Sequence, residues 1–240
     1  MRTPALSALA PWVSVEHLSR VVAPVSEKGS ACLLLDGFLT AQVGDELADF
    51  VTNDARLEPA YRLYSGLQPV PPERWANATE TDRFAKAAAV AGAHGDRALS
   101  SGAVRYVRLL HMLRSQAFRD LLETIRGTRV EPTHELAAWS MTADDFVRPH
   151  RYDAGTCGVR AELWLSTGWG RSLGGALCAL DVQERVTRIP FRHNALLLME
   201  PSAGATFWVA PIRRAAVGAA RVTVAACFGR APENDGVARR

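Results

Sequence analysis

Apolar residues in the first half of the chain recur mainly at the three- and four-residue spacing of an amphipathic helix. This spacing predicts a helix over residues 41–51 and a second helix over residues 82–91. Residues 104–125 form a longer helical region, in which Ser115 caps a final helix and Gly127 ends it. The first half of the chain is therefore predicted to be mainly helical.

The pattern changes in the second half, where short apolar segments alternate with Gly, Pro and Asn. These segments predict β-strands at residues 135–141, 159–165, 175–180, 194–199, 206–209 and 222–228, with one earlier strand at residues 31–35. Helices followed by many short strands are typical of an α+β protein with a β-sandwich or barrel at its C-terminal end. We interpret the chain as a single domain with a mainly helical part (1–130), a β core (131–230) and a flexible tail (231–240).

Composition and charge exclude several classes of function. Hydrophobic residues make up 48% and charged residues 22% of the 240 residues, as in globular domains. The net charge of +3 supplies no clustered basic face for nucleic acid, and no apolar run is long enough to cross a membrane. Nearly all basic residues are Arg, which together with abundant Ala and Gly is typical of a GC-rich bacterial genome.

The cysteines indicate neither a zinc ribbon nor a thioredoxin-type motif, because no two of them form a Cys-x-x-Cys pair. They are Cys32, Cys157, Cys178 and Cys227. Three of them lie in apolar runs, where a thiol usually acts as a small buried hydrophobe. The start of the chain has no recognisable signal peptide. We therefore expect a cytoplasmic protein with reduced thiols.

The β half also carries an ordered series of short motifs. In chain order they are Asp-Asp-Phe (144–146), Pro-His-Arg-Tyr-Asp (149–153), Leu-Trp-Leu-Ser (163–166), Gly-Gly-Ala-Leu (174–177), Pro190 with Asn194, Trp-Val-Ala-Pro-Ile (208–212) and Arg-Val-Thr (221–223). This order resembles the prolyl-hydroxylase-like branch of the 2-oxoglutarate/Fe(II)-dependent oxygenase superfamily, over about residues 31–229. The resemblance implies a double-stranded β-helix core (jelly-roll, cupin-like) with the N-terminal helices packed on it.

The resemblance also implies an iron site, of which this sequence keeps only a part. Oxygenases of this kind hold Fe(II) by two His and one carboxylate. His150 matches the first His, whereas Tyr152 stands where the carboxylate is expected and Asp153 follows one residue late. The second His should begin a His-x-Val-x-Pro-Val stretch, where we assign Trp208, whose indole has no lone pair for a metal. The predicted metal ligands are therefore His150 and Asp153, an incomplete set.

The residues that would bind 2-oxoglutarate are also partly kept. Arg221 and Thr223 match the Arg-x-Ser/Thr pattern of the superfamily, in which the guanidinium pairs with the distal carboxylate of the keto acid. Trp164 replaces a Tyr whose hydroxyl often helps to bind the keto acid. We expect Trp164, Trp208 and Tyr152 to line an aromatic cavity.

These departures favour a repurposed enzyme that keeps the barrel and its cavity but acts on a small molecule without the usual iron chemistry. In this interpretation no cofactor is bound, and His150, Asp153 and Tyr152 are the catalytic residues, because imidazole titrates near neutral pH. A cyclisation, elimination or isomerisation suits such a site. An aromatic cavity in a chain of bacterial composition is consistent with natural-product biosynthesis.

Two alternatives stay open on the sequence alone. One is a genuine Fe(II)- and 2-oxoglutarate-dependent hydroxylase with atypical ligands, in which Glu200 supplies a carboxylate. The other is a non-catalytic protein that binds a ligand or a partner. The expected partner is a small-molecule substrate and neither nucleic acid nor a membrane, while the oligomeric state has no signature in the sequence.

Overall fold

Two antiparallel sheets of seven strands each form the fold, and helices pack against one of them. The computed structural model describes residues 9, 12–13, 32–93, 100–127, 129–152, 157–181, 183–200, 205–214 and 218–230, with only the backbone of residues 66–68, 134 and 230. No helix within these residues is long and apolar enough to span a membrane.

The elements are numbered here in chain order. The helices are α1 (Ala41–Asp49), which continues into a π-helical turn (Phe50–Asp54), α2 (Pro72–Asn77), α3 (Ser101–Arg114) and α4 (Gln116–Arg126), and a 3-10 turn lies at Arg171–Leu173. The strands are β1 (Cys32–Asp36), β2 (Ala55–Pro59), β3 (Tyr61–Leu63), β4 (Gly66–Val70), β5 (Arg83–Lys86), β6 (Ala88–Ala93), β7 (Val130–Met141), β8 (Phe146–His150), β9 (Val159–Trp164), β10 (Leu177–Leu180), β11 (Val186–Ile189), β12 (Ala195–Met199), β13 (Thr206–Val209) and β14 (Arg221–Arg230).

The strand order identifies the fold as the predicted jelly roll. Sheet A has the order β1-β12-β9-β14-β7-β6-β2, and sheet B has the order β11-β10-β13-β8-β5-β3-β4. All pairings between these strands are antiparallel. Neighbours in each sheet come from distant parts of the chain, as in a double-stranded β-helix. The predicted α+β class, with helices packed on this core, is therefore confirmed.

The strands β9 and β12 of sheet A are buried on both of their faces. On β12, Leu196 and Leu198 point to the side covered by the helices, whereas Leu197 and Met199 point to the space between the sheets. The strand consequently reads as an unbroken apolar run, as strands covered on both faces do. The jelly roll thus has two apolar layers, one beneath the helices and one between the sheets.

The predicted end of the helical region is confirmed at both of its punctuation residues. The hydroxyl of Ser115 accepts a hydrogen bond from the backbone N–H of Phe118 at 3.2 Å, and so caps α4. Gly127 ends α4 in the left-handed conformation with a φ of 69°. Helix α4 packs on sheet A, where the ring of Phe118 lies 5.8 Å from the ring of Phe228 on β14.

The helix predicted over residues 82–91 is wrong, because β5 and β6 occupy this part of the chain. Residues 55–93 are mainly strands, so the N-terminal half is less helical than expected. The segment is rich in Ala, which has the highest intrinsic helix propensity. Pairing with the jelly roll overrides that propensity: β6 joins β7, with Ala89 opposite Trp139, and β5 joins β8.

Cys157 and Cys227 form a disulfide, which contradicts the expectation that the thiols are all reduced. Cys227 lies on β14, and Cys157 leads into the neighbouring strand β9, so strand pairing brings their Cα atoms to 5.3 Å. The two residues are 70 positions apart in the sequence, and only the fold brings them together. Cys178 is a buried free thiol, as expected. The cytoplasmic location stays a prediction.

Candidate ligand-binding cavity

A cavity of about 490 Å³ lies between the two sheets. Its floor is the inner face of sheet A at β7, β9 and β14, and its roof is formed mainly by β3, β5 and β8 of sheet B. A volume of this size accommodates a small organic molecule. Because its wall combines aromatic, aliphatic and charged side chains, the cavity has the composition of a ligand site.

Charged side chains form a row across the floor of the cavity. Glu135, Cys227 and Arg160 are direct neighbours across β7, β14 and β9. Glu162 lies two positions further along β9, on the same face, and accepts a hydrogen bond from Arg160 Nε at 2.9 Å. Arg160 and Glu162 are only 8% and 6% exposed, so this ion pair is almost fully removed from solvent.

The pair between Arg160 and Glu162 stays charged. Burial by itself raises the pKa of Glu162, but Arg160 and Arg221 outweigh this effect and hold the pKa below its ordinary value. Burial likewise lowers the pKa of Arg160, but Tyr152 and Glu162 outweigh it and raise the pKa above its ordinary value. The cavity floor therefore carries fixed charges at neutral pH.

Arg221 is a deeply buried cation in the wall of the same cavity. It is 2% exposed, and its Nε donates to the carbonyl of Gly175 at 2.9 Å. Its Nη1 donates to the hydroxyl of Thr223 at 2.8 Å, and its guanidinium lies 4.7 Å from the centre of the Phe191 ring. Burial lowers the pKa of Arg221 to about 10, so the group remains protonated at neutral pH. Arg221 and Thr223 thus both line the cavity, at the positions where the resemblance expects a cofactor-binding pair.

His150 is a neutral ring held between aromatic neighbours. Its Nδ1 donates to the carbonyl of Arg148 at 3.0 Å. The ring meets Phe84 and Tyr152 edge to face, with centroids 5.0 and 4.7 Å away. Burial lowers the pKa of His150 to about 4, against the opposing effect of its backbone hydrogen bonds. The imidazole is therefore uncharged at neutral pH and is a weak base.

The residue opposite His150 is Phe207, which corrects the assignment of Trp208 to the position of the second metal-binding His. The register of β8 and β13 pairs His150 with Phe207 and Val147 with Val209, with an irregularity between Phe207 and Val209 where Trp208 lies. Phe207 is fully buried, and its ring lies 5.8 Å from that of Tyr152. Trp208 is half-buried and borders the cavity from the next strand position. Counting back four residues from Pro211, as His-x-Val-x-Pro-Val requires, also leads to Phe207.

The side chains around His150 do not fit an iron triad. Phe207 offers no donor atom to a metal, and the residues that contact the imidazole ring are aromatic. The described residues contain no group of three His, Cys, Asp or Glu side chains able to hold a metal ion. Asp153 lies outside the described residues. Glu200, the carboxylate considered for an atypical ligand set, is ion-paired with Arg126 of α4.

Trp164 does not line the cavity, in contrast to the expectation. It is fully buried and stacks on Phe191, with ring centroids 4.9 Å apart. Its indole N–H donates to the carboxylate of Glu162 at 3.3 Å, so Trp164 supports the charged floor from the next position on the same face of β9. Tyr152 does line the cavity, and burial raises the pKa of its hydroxyl above the ordinary value. Tyr152 is therefore a protonated hydrogen-bond donor at neutral pH.

Comparison with solved structures shows which fold this is. A Trichoplax adhaerens prolyl hydroxylase in complex with a hypoxia-inducible-factor peptide fragment superposes with a TM-score of 0.61 at 14% identity, over 96% of this chain and 94% of that one. A Pseudomonas putida prolyl-4-hydroxylase superposes with a TM-score of 0.56 at 17% identity, over 89% and 99% of the two chains. This chain has the fold of the prolyl hydroxylases.

A third structural neighbour is a non-heme alpha-ketoglutarate-dependent epimerase from nogalamycin biosynthesis. It superposes with a TM-score of 0.54 at 14% identity, over 89% of this chain and 81% of that one. No protein-family model and no curated protein sequence matches this chain. The likeness is therefore one of fold, at a level of sequence identity that carries no statement about activity.

Several charged residues of the cavity are absent from the site predicted on the sequence. Arg160, Glu162, Glu135 and Arg62 line it, and Arg62 reaches it from β3. A signal for the first two is present in β9, where charged residues at 160 and 162 alternate with apolar residues in an otherwise buried strand. Alternation of this kind predicts a strand face that meets a polar site. Arg62 and Glu135 have no comparable signal, because only the pairing of distant strands brings them to the cavity.

Proposed function

We propose that this chain is a repurposed member of the 2-oxoglutarate oxygenase fold, which binds and converts a small molecule in the cavity without an iron triad. The observation that carries the proposal is the pairing of Phe207 with His150. In the resemblance, both positions hold iron, and a phenyl ring cannot bind a metal. A cyclisation, elimination or isomerisation, in the natural-product biosynthesis of a bacterium, is the kind of reaction that we propose.

The groups that remain in the cavity support binding and proton transfer. Tyr152 is a protonated donor that can hydrogen-bond to a ligand oxygen on which negative charge develops. Glu162 is an ionised carboxylate close to this hydroxyl, and His150 is a neutral imidazole whose ring meets that of Tyr152. Together with Asp153, these residues form the proposed catalytic set. The epimerase among the structural neighbours supports an isomerisation as a reaction that this fold accommodates.

Metal content and 2-oxoglutarate turnover test the proposal. The purified full-length protein, loaded anaerobically with Fe(II) and desalted, is expected to retain far less than one equivalent of iron. It is also expected to release no succinate from 2-oxoglutarate above the protein-free rate. Stoichiometric iron together with succinate release would overturn the proposal and favour the alternative of a hydroxylase with atypical ligands.

A pair of histidine variants sharpens this test. Phe207→His places an imidazole opposite His150 and is expected to raise the affinity for Fe(II) or for Co(II), which is followed by its absorption spectrum. Trp208→His is the matched control, because it adds the same side chain one residue along the strand, at a position that is not paired with His150. Equal metal affinity of the two variants would contradict the register on which the proposal rests.

A non-catalytic binding function is a second candidate, which the low pKa of His150 favours. An imidazole with a pKa of about 4 is a poor general base near pH 7. If the protein only binds its ligand, the wild type forms no product. Tyr152→Phe and His150→Gln are then expected to weaken ligand binding in proportion to the hydrogen bonds that they remove. Product formation by the wild type that Tyr152→Phe abolishes, with ligand affinity retained, would decide for an enzyme.

A further inference from the structure

Two guanidinium nitrogens in the cavity are buried without a hydrogen-bond partner among the residues that the structure describes. They are Nε of Arg62 and Nη2 of Arg221, and both residues line the cavity. Buried polar atoms are nearly always paired, because an unpaired donor loses its hydration without compensation. The two open donors therefore point to a ligand that supplies acceptors.

The charges of the described lining residues are also unbalanced. The lining includes two carboxylates, those of Glu135 and Glu162, and four guanidinium groups, those of Arg62, Arg151, Arg160 and Arg221. Within the part of the chain that the structure describes, Arg160 and Glu162 form the one direct ion pair among these groups. Burial lowers the pKa of Arg62, which reflects the cost of holding this cation away from water. An anionic ligand offsets that cost, since a buried charge is stable only when it is paired.

The surroundings of Arg62 indicate the shape of such a ligand. Its guanidinium lies 4.7 Å from the centre of the Trp139 ring, so a flat apolar wall and a cation meet at this end of the cavity. Met141 and Val147 continue the apolar surface beyond Trp139. A guanidinium held flat on an aromatic ring keeps its planar edge available for a carboxylate.

We propose that the cavity binds a small organic monocarboxylate with a flat apolar body, its carboxylate on Arg62 and its body against Trp139. This inference rests on the proposed function, because it names the ligand class of the same cavity. The position of the acid group is distinct from Arg221, where the resemblance expects the distal carboxylate of 2-oxoglutarate. Arg221 Nη2 is left to donate to a carbonyl or hydroxyl oxygen at the other end of the ligand.

Calorimetric titration of the full-length protein in the presence of EDTA tests the ligand class without iron. The probes are matched pairs of acid and amide, phenylacetate with phenylacetamide and indole-3-acetate with indole-3-acetamide, together with 2-oxoglutarate. Each acid is expected to bind roughly tenfold to hundredfold more tightly than its amide, the range of one charge-assisted hydrogen-bonding contact. Equal affinities, or no binding by any acid at millimolar concentration, would overturn the proposal.

Variants then locate the acid group. Arg62→Gln is expected to abolish the preference for acid over amide, whereas Arg56→Gln, at an exposed position paired only with Glu58, should retain it. Glu135→Gln should change affinity in the opposite direction and tighten acid binding, which keeps the proposal testable if Arg62→Gln does not fold. Loss of acid binding in Arg221→Gln with no effect of Arg62→Gln would overturn the proposal and indicate an ordinary keto-acid site. These titrations are independent of iron content and succinate release, so either proposal can fail alone.

Discussion

Replacing Glu162 by Gln removes the negative charge from the cavity floor and keeps the shape of the side chain. In the native protein one carboxylate oxygen accepts from Arg160 at 2.9 Å, and the other accepts from the indole of Trp164 at 3.3 Å. The neutral amide removes the carboxylate that is hydrogen-bonded to the buried guanidinium of Arg160, which then keeps the favourable effect of Glu135 only, and Arg221 loses its largest favourable charge interaction as well. We therefore expect a large loss of stability.

The magnitude follows from the burial of the pair. Removing one partner of a buried ion pair costs about 3–5 kcal/mol. In a chain of this length each 1 kcal/mol lowers Tm by roughly 2–4 °C, so Glu162→Gln is expected to melt roughly 6–20 °C below the wild type. Glu58 provides the control, because the side chains of Glu58 and Arg56, which form an ion pair, are 58% and 56% exposed. Glu58→Gln should change the free energy of unfolding by less than about 1 kcal/mol.

Differential scanning calorimetry at pH 7 measures both variants. A double variant, Arg160→Met with Glu162→Leu, is expected to recover part of the loss, since the buried guanidinium that loses its ion-pair partner in Glu162→Gln is then removed as well. If Glu162→Gln melts at the same temperature as Glu58→Gln, the reasoning is refuted, because the pair is then not buried as described. If Glu162→Gln melts at a lower temperature as expected but the double variant melts no higher than Glu162→Gln, the lower Tm arises from packing and not from charge.

The contribution of Glu162 also has a defined pH dependence. Its folded pKa lies below the ordinary value of 4.5, so its stabilising effect is complete above that value and is lost as pH falls through the folded pKa. The difference in unfolding free energy between wild type and Glu162→Gln should be constant from pH 7 to about pH 5 and shrink only in more acidic solution. Urea denaturation across this range measures it, and a difference that already declines near pH 6 would contradict the assignment.

Other consequences of the structure can be measured with the same methods. Replacing Cys227 by Ser opens its disulfide with Cys157, which spans 70 residues, and should cost about 4 kcal/mol; a reductant should then lower the Tm of the wild type but not of the variant. The pKa of His150 is lowered to about 4 from 6.5, so the native state resists protonation and loses stability as pH falls between these values. Urea denaturation should show this slope reduced in His150→Phe and kept in His111→Gln, at an exposed position of α3. Asn194→Ala should cost roughly 2–3 kcal/mol, because the buried amide makes two hydrogen bonds, of 2.9 and 2.8 Å, to the backbone just before α1; thermal melting equal to the wild type would contradict this.

Local signals in the sequence were sufficient for the elements whose cause is local. A cap such as Ser115 acts on a backbone N–H three residues away, and Gly127 adopts a positive φ because it has no Cβ. Period-two alternation and apolar runs located seven of the fourteen strands that the structure describes for the same reason. The helix predicted over residues 82–91 failed because pairing with distant strands outweighed the propensity of its Ala residues.

The candidate site depended more strongly on contacts between distant residues. The register of β8 and β13 places Phe207, and not Trp208, opposite His150, in agreement with the four-residue spacing to Pro211 in the sequence. Trp164 was assigned to the cavity from its motif, yet its packing against Phe191 turns it into a support for Glu162. The disulfide likewise requires β9 and β14 to be neighbours.

Both the sequence and the tertiary structure were therefore needed to describe the incomplete iron site. By itself, the sequence determined the ends of the last helix and a β-rich second half, because periodicity along the chain encodes them. The jelly-roll class and the site positions of His150, Arg221 and Thr223 were implied by the resemblance that the order of its motifs carries. Tertiary structure decided what surrounds these residues: an aromatic ring opposite the imidazole, and a buried row of charges with two open guanidinium donors. Burial and strand register set those features, and both are properties of the folded chain as a whole.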